Sequence, residues 1–314
     1  MQNGDDKNTK LPQGRAITPY DPSFRDDPQA IYDALRGNAP HFKDQSYGRI
    51  FLTNYADVRS AVRDKRFSVN ARYSHTDSYV RRIAATGLDE REGETAYEPP
   101  LVLLDDPDHR RVRGLMSKAF TPKSVEAMRG RIEEITHELL TNLVNKSEVD
   151  LIEDFAAPLP TQAILEMMGL GELSTADFKR WSEDILMGYD PERNEATQKS
   201  LREAYVAMSR EFKRAVDMRR QTPGDDLISE MVRAQENEDR LTDLEIISLC
   251  TQLMVAGNVT TTDLIGNGMY ALLQHPDQLA EIAKERKPRM MLLPYGIPIA
   301  IGTIGYFAFT GMLI

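Results

Sequence analysis

No proline interrupts the stretch from Thr242 to His275, and this constrains the fold more than any other feature of the chain. Thr242 followed three residues later by Glu245 forms a capping box, which starts a helix. Pro276 ends that helix or starts the next one. At 1.5 Å per residue the rod is roughly 50 Å long, well beyond the average helix of a globular protein. Its first half is apolar nearly all round, with Leu244, Ile246, Ile247, Leu249, Leu253, Met254 and Val255. That pattern belongs to a buried helix, not a surface one.

The middle of the rod departs from this pattern. Ala256-Gly257-Asn258-Val259-Thr260-Thr261-Thr262-Asp263 places glycine, amide, hydroxyls and a carboxylate inside a buried helix. Glycine there costs about 1 kcal/mol against alanine. Threonine hydroxyls can bond back to preceding carbonyls and bend the axis. Two readings fit equally: a ligand sits against the patch, or the threonines are satisfied by their own backbone.

Composition narrows the function. With 314 residues the chain holds one large domain or two ordinary ones. A net charge of -10 argues against nucleic acid as a partner. The first ten residues have no apolar core, so they are not a signal peptide. One cysteine, Cys250, excludes a disulfide framework and a cysteine-rich zinc site. There is no His-Glu-x-x-His, no Walker loop and no Gly-x-Gly-x-x-Gly after a strand, and no metal-ligand cluster is expected.

In chain order, residues 1–18 read as a disordered arm. Helical patterns cover Pro28 to Gly37 and Tyr55 to Asp64, with a short strand from Arg49 to Thr53 between them. Arg66 to Pro100 reads as irregular, and a loop that long inside a domain is usually functional or mobile. Asp106 caps a helix whose first position is Pro107. His109 and Arg113 then stand four apart on one face. They suit a clamp for paired carboxylates, since arginine donates a fixed fork and histidine a single N–H. Spacing alone favours the plainer alternative, a solvated basic face balanced by the acidic cap. Further helices are predicted from Thr121 to Val144, Pro158 to Leu170, Ser174 to Tyr189, Glu195 to Arg220 and Asp225 to Gln235.

Asp106-Pro107-Asp108-His109-Arg110-Arg111-Val112-Arg113, Ser117 to Pro122, Pro223-Gly224-Asp225-Asp226-Leu227, Ala256 to Thr261 and His275-Pro276 occur together in this order. In order and spacing they resemble the cytochrome P-450 family of haem-thiolate monooxygenases, in its soluble bacterial form, over about Ala16 to Arg286. The resemblance implies a haem (heme b) cofactor with His109 and Arg113 on its propionates. It implies that Thr260 stands beside bound oxygen, and that Ala256 and Gly257 leave room for it. The loop from Arg66 to Pro100 would form part of the substrate pocket. The family inserts an oxygen atom of O2 into a small organic substrate, with electrons from a ferredoxin or flavoprotein.

The chain departs from the family's pattern in three places. Val259 stands where a carboxylate usually precedes the threonine, and Asp263, one turn on, is the candidate replacement for proton relay. The cysteine-ligand loop and the Glu-x-x-Arg helix that follow the central helix in the family find no match. Cys250 fits no ligand position and reads as a small buried hydrophobe. Glu126-x-x-Arg129 and Glu230-x-x-Arg233 fit the letters but precede the central helix, and read as ordinary i,i+3 pairs. Met290 to Ile314 carries no charge, is long enough to span a bilayer core of about 30 Å, and follows Lys284, Arg286, Lys287 and Arg289.

The expected fold is therefore mainly α with minor β. An incomplete cytochrome P-450 fold over 19–286 surrounds the long central helix, after a disordered arm over 1–18. An apolar tail over 287–314 follows and forms a C-terminal transmembrane helix. A cytoplasmic monooxygenase-like domain, inactive without its thiolate and tethered to the inner membrane, is the first functional expectation. The alternatives are a non-enzymatic, membrane-tethered helical binding or interaction protein and an artefactual fusion product joined near Lys287.

Overall fold

A computed structural model describes residues 11–84, 98–119, 126–144, 146–235 and 241–284. Residues 11–18 do not behave as an arm. Gly14–Ile17 forms a 3-10 turn, and Ile17 packs with Leu35, Phe42 and Phe51 in a small apolar cluster. Helices α1 (Pro22–Asp26) and α2 (Pro28–Asn38) each start with proline after an aspartate whose side chain accepts a backbone amide proton. That is the ordinary chemistry of a helix N-terminus.

Two strands follow, β1 (His41–Asp44) and β2 (Arg49–Leu52), paired antiparallel with His41 opposite Leu52. Only β2 is readable from the sequence; β1 acquires its identity from its partner. Asp44 is fully buried. It accepts from the Gly14 amide at 3.1 Å, the Ser46 amide at 3.0 Å and Arg49 Nε at 2.9 Å. A buried carboxylate is tolerable only with such a set of donors. The Arg49 guanidinium in turn lies 4.4 Å from the Tyr79 ring centre and 4.6 Å from that of Phe51.

Helix α3 spans Tyr55–Arg63 and α4 spans Tyr79–Ala84. The latter falls inside the stretch expected to be irregular, whose residues 85–97 lie outside those described. Helix α5 (Asp108–Ala119) starts after Pro107, which sits in the preceding turn and not in the helix. Helix α6 is described over Arg129–Leu143. There follow α7 (Pro158–Met167), α8 (Thr175–Met187), α9 (Glu195–Gln221), α10 (Leu227–Gln235), α11 (Asp243–Gln274) and α12 (Pro276–Lys284). Pro276 thus does both things open to it, ending α11 and starting α12.

Helix α11 is the predicted rod, and its capping box forms. Thr242 Oγ1 accepts from the Glu245 amide at 3.1 Å, and Glu245 Oε2 accepts from the Thr242 amide at 2.7 Å. Its first half is enclosed by α7, α8, α9 and α10, where Ile246, Cys250 and Met254 are fully buried. Phe178 of α8 meets Phe212 of α9 edge to face, with ring centres 6.2 Å apart.

The motif Pro223 to Leu227 has a structural job. Asp226 Oδ1 accepts from the Ser229 amide at 2.8 Å, and Asp226 Oδ2 takes Arg219 Nε at 2.5 Å. The two Glu-x-x-Arg sequences are local ion pairs, Arg129 Nε to Glu126 at 2.6 Å and Arg233 to Glu230 at 2.6 Å. The apolar tail, and with it the expected transmembrane helix, lies outside the described residues. Among those described, no helix is long and apolar enough to cross a membrane.

Candidate active site

A cavity of about 110 Å³ opens along α11. Ser248, Thr251, Gln252 and Ala256 line it from α11, at spacings of three and four that place them on one helix face. Ile185 and Tyr189 come from the end of α8 and the turn after it, and Tyr205 and Ser209 from α9. Glu98, Pro100 and Val102 close it from the segment before α5. Gln252 fixes that segment, because its Oε1 accepts from the Leu101 amide at 2.8 Å. Glu98 and Pro100 thus bring the end of the segment expected to be irregular to this cavity. Sequence reasoning missed Ser248, Thr251 and Gln252, although their signal was present: polar residues breaking an apolar helix at helical spacing, in a row ending at Ala256.

The polar patch divides by face. Ala256 faces the cavity. Gly257 does not line it but backs onto α7, where a Cβ would stand 2.6 Å from Ile164 Cδ1. Asn258 shares that seam: only 2% exposed, its side-chain amide lies 2.9 Å from Thr161 Oγ1 of α7. Glycine and amide therefore serve close packing of two helices. Thr260 donates its hydroxyl proton to the Ala256 carbonyl at 2.6 Å, and Thr262 donates to the Asn258 carbonyl at 3.0 Å. The back-bonded reading thus holds for both hydroxyls. In Thr260 the proton is engaged by the Ala256 carbonyl and the oxygen's lone pairs remain available. Asp263 follows one turn later on an exposed position, and desolvation raises its carboxyl above the usual carboxylate range.

His109 and Arg113 line one concavity on α5, together with Asp106, Arg110, Gly114 and Ser117. His109 Nδ1 is 3.8 Å from Asp106 Oδ1, and Arg113 has no ion-pair partner among the described residues. This concavity and the Ala256 cavity have no lining residue in common. Helix α5 is nonetheless tied to α11, since Arg111 pairs with Glu245, the same residue that completes the capping box. Burial pulls the Glu245 carboxyl upward, but Arg111 and the Thr242 amide outweigh it and hold the group below its ordinary value.

The donor set on α5 fits part of what the resemblance implies. One guanidinium and one imidazole suit a pair of carboxylates. The metal ligand is a different matter. Cys250, the chain's only cysteine, is fully buried in α11 among core side chains, and burial pushes its thiol up. It stays a protonated core residue and is not available to an iron atom. No group of three or more histidine, cysteine or acidic side chains among the described residues could hold a metal.

The cytochrome P450 family model matches residues 160–288. The 6-deoxyerythronolide B hydroxylase of Saccharopolyspora erythraea is 36% identical over 266 residues, which is 84% of this chain and 64% of that protein. The chain thus spans less than two thirds of that relative's length. The polyketide biosynthesis cytochrome P450 PksS of Bacillus subtilis is 30% identical over 297 residues, 90% of this chain and 70% of that protein. The crystal structure of P450BioI in complex with hexadec-9Z-enoic acid ligated acyl carrier protein superposes with a TM-score of 0.71 at 30% identity, covering 83% of this chain and 65% of that one. A mainly helical fold with a small hairpin, a long central rod with a cavity on one face, and matches of this extent place the chain in the cytochrome P450 family.

Proposed function

We propose that this chain carries the substrate cavity and the propionate clamp of a cytochrome P450 monooxygenase, acting on a small organic molecule held against Ala256. The observation that carries this is the cavity itself, walled by α8, α9, α11 and the segment before α5. The similarity to a protein named as a hydroxylase supports oxygen insertion as the reaction. The resemblance to a protein solved with an acyl carrier protein bearing a fatty acid is compatible with a carrier-bound or free apolar substrate. A ferredoxin or flavoprotein would be the electron donor.

Haem, when bound, supplies the activation of O2. His109 and Arg113 would hold its carboxylates by charge-assisted hydrogen bonds. Ala256 leaves space on the cavity face. Thr260 Oγ1, its proton on the Ala256 carbonyl, can accept a hydrogen bond through its free lone pairs. Asp263, with its raised carboxyl, is the candidate proton holder in place of the acid absent at Val259. Cys250 does not serve as the iron ligand, so the chain by itself is expected to bind haem without a thiolate signature and without turnover.

Haem titration of the full chain, followed by reduction and carbon monoxide, tests this. Haem should bind, Arg113→Ala and His109→Ala should each weaken it roughly tenfold, the loss expected for one charge-assisted contact, and the carbon monoxide band should not be of thiolate type. Unchanged haem affinity in both variants removes the clamp assignment. A thiolate-type band overturns the reading of Cys250.

A further inference from the structure

Glu98 is the only charged side chain lining the Ala256 cavity among the described residues. The remainder of the lining is apolar or carries neutral hydroxyls and one amide, with no lysine, arginine or histidine. Glu98 is half-buried, and no ion pair or hydrogen bond to it is present among the described residues. A carboxylate at the wall of a largely apolar space is a natural counter-ion for a ligand that brings a cation. A second feature points to the same ligand. Tyr189 and Tyr205 line this cavity too, and tyrosine rings attract cations, quaternary ammonium groups in particular.

We propose that this cavity selects an apolar molecule carrying an ammonium group, with Glu98 as its counter-ion and the tyrosines as its aromatic wall. The inference rests on the reading of the cavity as the substrate site. It adds a sign of charge: amines and quaternary ammonium compounds are favoured, neutral analogues are tolerated and carboxylates are rejected.

The test is calorimetric titration of the full chain with benzyltrimethylammonium, benzyl alcohol and benzoate at low ionic strength. The quaternary nitrogen has no lone pair, so its binding cannot be confused with coordination to a metal. The cation should bind about fivefold more tightly than the alcohol, the upper end for a part-exposed ion pair, and benzoate should bind most weakly. Glu98→Gln should bring the cation down to the level of the alcohol, and Glu98→Lys should reverse the order of cation and benzoate. Far-ultraviolet circular dichroism confirms that both variants are folded. Binding of benzyl alcohol with no preference for the cation, or a preference that survives Glu98→Gln, overturns the proposal and leaves the cavity standing as the substrate site. Binding of none of the three overturns both.

Discussion

Gly257 is the residue at which two accounts of the central helix make opposite predictions. If its role is to leave room for a ligand, alanine should impair binding and leave the fold alone. The structure places it instead on the α7 side, with Ile164 Cδ1 2.6 Å from where a Cβ would stand. Ile164 is only 7% exposed, so its terminal methyl has little space to retreat. Overpacking of this kind costs about 1–3 kcal/mol. Replacing a helix-interior glycine by alanine returns about 1 kcal/mol. Gly257→Ala should therefore destabilise by about 0–2 kcal/mol. Ile164→Val, which removes the obstructing methyl, should alone cost about 0.5–1.5 kcal/mol. In the double variant the new methyl fills the space of the old one, and the two losses should largely cancel. The coupling in this double-mutant cycle is thus about 1–3 kcal/mol, above the scatter expected for independent sites. Urea unfolding followed by circular dichroism measures all four proteins. Additive losses, together with impaired cavity binding in Gly257→Ala, would falsify the packing account.

Two further outcomes follow from the titratable groups. Glu245 has a native carboxyl below its ordinary value near 4.5, so its contribution is complete above that value and disappears as pH falls through the lower native one. Acid unfolding curves of Glu245→Gln should show a flatter loss below about pH 4.5 than the parent; an unchanged acid limb refutes the role of the Arg111 pair. Cys250, buried and with its thiol pushed up, should resist a disulfide-exchange reagent in the native protein and react once in urea; rapid reaction of the folded chain would show it to be exposed.

The sequence was most legible where structure is decided locally. The capping box at Thr242, the helix starts at Pro28 and Pro158, and the stop at Pro276 all depend on residues within a turn of one another, and all form. Strand β1 was invisible because His41–Asp44 becomes a strand only through pairing with Arg49–Leu52. Helix α4 was masked by a polar, charged neighbourhood. The patch from Ala256 to Asp263 was recognised as unusual, but its division was not legible. Which face of a helix meets a cavity and which meets another helix depends on Ile164 and Thr161, almost a hundred residues away. The motif around Asp226 shows the converse: it was read as a family mark, and in the fold it is a helix cap and an ion pair.

The turn between α8 and α9, which carries Tyr189 into the cavity wall, is held by residues far from it in sequence. Tyr20 donates to the Leu186 carbonyl at 2.7 Å, Arg15 pairs with Asp190 at 2.9 Å, Tyr47 donates to Glu192 at 2.5 Å and Tyr79 donates to the Tyr189 carbonyl at 3.4 Å. At a net value near 1 kcal/mol for each such bond, releasing all four costs about 4 kcal/mol, less than unfolding a typical domain. That corresponds to about one molecule in a thousand with all four contacts released at any moment. The place of Tyr189 in the cavity wall is thus fixed by four side chains that do not themselves line the cavity.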